Sequence, residues 1–135
     1  MNQHITVPLV FQAPPPEQMA ADHLQRRVTQ FLVDAFPEDP VVRPKVRVYR
    51  FLEEAMELAQ AMGVTRWQAF KLLWYVFGRP VGDVKQELGG TVFTLVGVAN
   101  SLGTNIIREG HASVDEAYGR IDKIRAKSKT KPRAW

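Results

Sequence analysis

A chain of 135 residues with 18 Lys and Arg against 14 Asp and Glu, formal net charge +4, fits one domain, and its 45% apolar and 24% charged residues are ordinary for a globular protein. It contains no cysteine, which excludes disulfides, thiolate zinc sites and cysteine nucleophiles together and suits a reducing cytoplasm. No apolar run is long enough to span a bilayer, and Met1 to Phe11 lacks the basic leader of a signal peptide, so the expectation is a cytoplasmic protein with no membrane contact.

Residues 1–16 end in Pro14-Pro15-Pro16, which cannot be helix interior, and read as an extended N-terminal arm. A first helix is expected over Glu17 to Phe36, with Leu24, Val28, Phe31 and Ala35 at helical spacing and Pro37 and Pro40 beyond it. A second runs from Pro44, well placed in a first turn, to Met62, with Gly63 as its stop. Thr65 and Gln68 form a capping-box pattern ahead of a third helix carrying Trp67, Phe70, Trp74 and Phe77, which ends at Gly78-Arg79-Pro80. Asp83, followed by Gln86, caps a fourth helix over Val84 to Leu102; from Leu88 to Ala99 it is almost wholly apolar and should be buried on most sides. A fifth helix is expected from Ser113 to Lys127, and residues 128–135 form a basic tail. Consistent helix signals with no strand pattern argue for an all-α bundle of four to five helices over residues 17–127.

The most informative residues lie in the second helix, Arg50-Phe51-Leu52-Glu53-Glu54-Ala55-Met56-Glu57. Glu54 and Glu57 share one helix face, and Glu53 and Glu57 are also neighbours. Carboxylates within one turn repel each other, and a divalent cation would offset the repulsion; magnesium prefers such oxygen donors and keeps several waters. The plainer reading is a solvated acidic face. Against it, Phe51, Leu52, Ala55, Met56, Leu58 and Ala59 leave little of this helix clearly solvent-facing, and acids beside apolar surface need partners.

Glu87 opens the fourth helix, where the helix dipole favours a carboxylate. Gly89 and Gly90 follow it, and two glycines in a helix interior cost about 2 kcal/mol relative to alanine. Close helix approach would explain them, and so would room for a ligand beside Glu87.

Glu-Glu-x-x-Glu on one helix, a helical hairpin, then Glu at the start of an apolar helix resembles the MazG-like family of all-α nucleoside triphosphate pyrophosphohydrolases. Val98-Ala99-Asn100-Ser101-Leu102-Gly103 is similar to that family's helix-ending turn, and Lys123-Ile124-Arg125-Ala126-Lys127 to its later basic signature. The resemblance covers about residues 45–127. It implies an oligomeric MazG-like helical bundle, a homodimer or homotetramer, that splits an NTP or dNTP into monophosphate and pyrophosphate with Mg2+ (Mn2+ as a substitute). By matching positions it implies Glu54, Glu57 and Glu87 as metal ligands. Glu53 becomes either a further ligand or the catalytic group that orients the attacking water. Lys123, Lys127 and Arg79 are candidates to hold phosphates; Thr94 and Asn100 are candidates to line the pocket. Trp67, Trp74 and Tyr75 could stack on a base, or serve as core or subunit interface.

One position departs from the family pattern: Gly90 stands where the family places an Asp. Water could replace the missing oxygen, Asp83 could reach in from one turn earlier, or the site could be inactive. Gly89-Gly90 beside Tyr75-Val76-Phe77-Gly78-Arg79-Pro80 is similar to a phage-associated subset of the family, which makes the glycine a subfamily trait. The rival readings are a non-catalytic helical oligomer with a degenerate site and a small nucleic-acid-binding protein using the basic tail. No recognition-helix pattern and no basic stripe interleaved with aromatics supports the latter. His4, His23 and His111 are far apart in sequence and give a zinc site little support.

Overall fold

The structure, a computed structural model, describes residues 23–37 and 44–132. The expected N-terminal arm, the beginning of the expected first helix (residues 17–22) and residues 133–135 of the basic tail lie outside the described residues. Among the described residues every element is helical and there is no strand: α1 (His23–Ala35), α2 (Pro44–Ala61), α3 (Arg66–Phe77), α4 (Val84–Ser101), α5 (Ile106–Gly119) and α6 (Ile121–Ser128). The all-α expectation therefore holds. The described residues divide into two compact units, one of residues 23–37, 44–49 and 107–132 and one of residues 50–106.

In the first unit α1 and α6 lie side by side. Ala35, at the end of α1, and Val114, on α5, are its buried apolar residues. A side chain on Gly110 would come within 2.6 Å of the Leu24 side chain, so α5 can approach α1 there because position 110 has no Cβ. Phe31 meets Tyr118 edge-on at 5.1 Å between ring centroids, an arrangement the ring quadrupoles favour.

The second unit owes its helix boundaries to local chemistry. The Thr65 hydroxyl accepts from the Gln68 N–H at 3.3 Å, and the Gln68 side chain accepts from the Thr65 N–H at 2.8 Å. The capping box read from the sequence is thus complete. One Asp83 carboxylate oxygen accepts from the Lys85 and Gln86 N–H groups at 3.1 and 3.0 Å and caps α4. Gly63 and Gly103 adopt φ of +88° and +65°. Each lets the following N–H turn back onto the helix just ended, Val64 to the Ala59 carbonyl at 2.9 Å and Thr104 to the Ala99 carbonyl at 3.0 Å.

Two expectations need correction. The fifth helix does not run unbroken from Ser113 to Lys127: α5 already begins at Ile106, and the chain breaks helix geometry at Arg120 (φ −132°, ψ 27°) before α6. Gly110 interrupts the apolar pattern of the Ile106–Ala112 stretch, and in this fold that glycine serves contact with Leu24 rather than a turn. The second correction concerns burial. α4 was expected to be enclosed on most sides, yet Ala99 is its one buried residue and Phe93 is 81% exposed. An apolar composition says that a helix needs cover without saying that its own chain supplies it.

Candidate functional site

The second unit holds the four glutamates of interest. Glu53, Glu54 and Glu57 project from α2, and Glu87 sits in the first turn of α4. Arg50, one turn before Glu53, donates from Nη1 to Glu53 Oε2 at 2.6 Å, with both side chains about a quarter exposed. This charge-assisted bond orients the Glu53 carboxylate along α2. Arg50 was not singled out from the sequence, although its i,i+3 spacing to Glu53 is a signal that could have found it.

Glu54 and Glu57 are exposed. Among the described residues neither carboxylate has a hydrogen-bond or ion-pair partner, and the same is true of Glu87. Glu87 folds back over the chain that leads into its helix: a side chain on Gly82 would collide with its carboxylate. Position 82 must be bare for Glu87 to lie there, at the positive end of the α4 dipole. Glu54 and Glu57 are therefore brought together on adjacent turns of one helix. Among the described residues, no three His, Asp or Glu side chains are grouped so that they could hold a metal ion.

The other expected site residues fall as follows. The Thr94 hydroxyl donates to the Gly90 and Thr91 carbonyls, both at 3.0 Å, so its proton is committed to its own helix while its oxygen stays open as an acceptor. Asn100 is exposed in the last turn of α4, and its carbonyl accepts from the Gly103 N–H at 3.1 Å. Arg79 places its guanidinium 5.3 Å from the Tyr75 ring centroid, covering one face of that ring. Asp83 is engaged as the α4 cap. Lys123 and Lys127 are exposed on α6, in the first unit. On α3, Trp67 meets Phe70 edge-on at 6.2 Å and Phe70 stacks with Trp74 at 6.3 Å. Phe70, Lys71 and Trp74 line a shallow, open apolar groove.

The first unit holds a polar cluster that sequence spacing did not disclose. Arg27 bonds the His111 ring at 2.8 Å, pairs with Asp115, and His111 lies 5.2 Å from the His23 ring. No known family model, curated protein or solved structure matches the chain.

Proposed function

We propose that the chain is a magnesium-dependent nucleoside triphosphate pyrophosphohydrolase of the MazG-like kind, cleaving an NTP or dNTP to monophosphate and pyrophosphate in nucleotide-pool house-cleaning. The observation that carries this reading is the pair Glu54 and Glu57, exposed one turn apart on α2 and without polar partners among the described residues. Adjacent carboxylates with no cationic partner among the described residues suit a hard divalent ion. Their donor chemistry fits magnesium, and the resemblance adds Glu87 to the set. A metal held there would neutralise charge on phosphate oxygens and lower the pKa of a bound water.

The remaining chemistry belongs to this chain's own side chains. Glu53, oriented by Arg50, accepts a proton from the attacking water. The new bond forms between that water's oxygen and the α-phosphorus, and the bond from the α-phosphorus to the bridging oxygen breaks. Pyrophosphate leaves with the bonding electron pair. Arg79 offers a fixed cation to the triphosphate, and Thr94 an acceptor oxygen toward the substrate. Catalysis of this type rests on positioning and charge stabilisation. The same reading expects two or four copies to assemble and places the enzyme in the cytoplasm.

A second reading, a helical oligomer without catalysis, is favoured by Gly90: it removes the fourth family carboxylate, and nothing lies within 4 Å of where a Cβ would stand there. One experiment separates the two. Pyrophosphate release is measured from purified protein over a panel of canonical and modified triphosphates with magnesium or manganese, for wild type and Glu54→Gln. Metal-dependent release lost in the variant supports the enzyme. Equal release in both, or none in either, removes it. Gly90→Asp then distinguishes a site adapted to glycine, which would slow, from a decayed one, which would gain.

A further inference from the structure

α4 begins with an arrangement that capped helices use to fix the entry of the chain. Asp83 is the cap and Val84 the first helical residue, so Gly82 stands just before the cap and Glu87 in the fourth position of the helix. These two positions face each other across the first turn, and apolar side chains often meet there. Here the pair is a glycine and an acid. A helical side chain leans toward the amino end of its helix, which carries Glu87 back onto residue 82. The three atoms nearest to a Cβ built on Gly82 all belong to Glu87: Oε1, then Cδ at 3.0 Å and Cγ at 3.3 Å.

The cap makes this relation rigid. The Glu87 N–H donates to the Asp83 carbonyl at 2.9 Å, and the Asp83 carboxylate accepts from the Lys85 and Gln86 N–H groups. Backbone conformation does not ask for glycine at position 82: among the described glycines, positive φ belongs to Gly63 and Gly103. Glycine where alanine would fit the backbone leaves the unfolded chain more freedom to lose. What its bareness provides is room for the Glu87 carboxylate. No polar partner among the described residues holds that carboxylate, so the space over Gly82 and the α4 dipole are what fix it. In that seat it is not grouped with Glu54 and Glu57 closely enough for the three to hold an ion.

We infer that Gly82 is a positioning residue: it seats the Glu87 carboxylate apart from Glu54 and Glu57, and Glu87 joins a divalent ion only by leaving that seat. The inference rests on the pyrophosphohydrolase reading and adds to it a control on ion affinity. A seat that is filled most of the time lowers the apparent affinity by the fraction of chains in which Glu87 is released.

Gly82→Ala tests it by closing the seat. Alanine suits the backbone there and narrows the unfolded ensemble, so the melting temperature should hold or rise. Two measurements are made on the full chain. Three-bond couplings to the Glu87 Cγ and Cδ report its χ1 and χ2 rotamers, and a Mn2+ titration followed by the free-ion electron paramagnetic resonance signal reports affinity. Wild type should show one dominant Glu87 rotamer that changes on adding Mg2+. In Gly82→Ala the rotamer should already be changed without the ion, and Mn2+ should bind at least about threefold more tightly. Combined with Glu87→Gln, Gly82→Ala should no longer alter affinity, because the two residues act as one unit. Couplings averaged in wild type, or unmoved by Gly82→Ala, overturn the inference whatever the ion does. Equal Mn2+ affinity in wild type and Gly82→Ala, with binding lost in Glu54→Gln, also overturns it while the pyrophosphohydrolase reading stands. No Mn2+ bound by either protein removes that reading, and the control on affinity with it, even where the couplings show the seat.

Discussion

Arg125 closes the carboxyl end of α1: its Nε donates to the Ala35 carbonyl at 2.8 Å, while its Nη2 donates to the neighbouring Asp34 carbonyl at 2.6 Å. The last carbonyls of a helix have no partners inside it, and a guanidinium supplies two donors and a positive charge where the dipole is negative. The resemblance placed this residue within a basic signature; in the fold it ties α6 to α1, and Ala35 beside it is the most buried residue described.

Arg125→Ala should lower the free energy of unfolding by about 2 kcal/mol, the scale of hydrogen bonds to a charged donor. Arg125→Lys should recover less than half, because an ammonium cannot reproduce the fork. Urea denaturation of the three proteins measures both. A loss within about 0.5 kcal/mol for the alanine variant would place Arg125 among ordinary surface residues.

The Tyr118 hydroxyl donates to Asp34 Oδ2 at 2.8 Å, and Gln30 donates to Oδ1 at 2.9 Å. The Tyr118 bond, with Gln30 adding to it, holds the Asp34 carboxyl below its ordinary value of 3.8. The same bond, felt from the other side, pushes the Tyr118 phenol above its ordinary value of 10.0. For Asp34 the stabilisation is present above pH 3.8 and is lost as pH falls through the depressed value. For Tyr118 it is present below pH 10.0 and is lost as pH rises through the raised value. The melting-temperature gap between wild type and Tyr118→Phe should therefore be constant at neutral pH and shrink at both extremes. A gap that ignores pH would show that the bond adds nothing in solution.

On the proposed pyrophosphohydrolase reading, Arg50, which donates to Glu53, is a positioning residue for it. Loss of a partner that orients a reacting group or ligand costs roughly 10–100-fold in activity, and Arg50→Gln should fall in that range with little change in stability. A pH–rate profile separates this from a structural effect. If Arg50 acts through Glu53, the acid limb moves in Arg50→Gln and is absent in Glu53→Gln. An unmoved limb in Arg50→Gln would break the link between the two residues.

Thr65→Ala removes the hydroxyl that receives the Gln68 N–H and should cost about 1 kcal/mol. Thr65→Ser should cost only a fraction of that, since the hydroxyl remains. Thermal denaturation of both variants measures the cap, and identical melting of Thr65→Ala and wild type would count against it.

The sequence was most legible where chemistry is local. The bounds of α2, α3 and α4 follow from Pro44, Thr65, Asp83, Gly63 and Gly103, each acting on backbone groups within a few residues. The shared face of Glu54 and Glu57 follows from helical periodicity alone. Arg50 was equally local, and the i,i+3 rule could have supplied it. The break at Arg120 was not legible, because Gly119 beside it is no stronger a stop than Gly110, which α5 passes through.

Two matters were decided only in three dimensions. Arg125 reaches a carbonyl 90 residues away, and no spacing rule encodes a partner so remote, since the chain must first close a long loop and order both ends. Burial is the second: residues Leu88 to Ala99 announce that α4 must be covered, but whether its own chain or another does so depends on packing geometry, which composition does not contain. Periodicity and capping are properties of a short stretch of backbone; cover for an apolar face is a property of everything that can reach it.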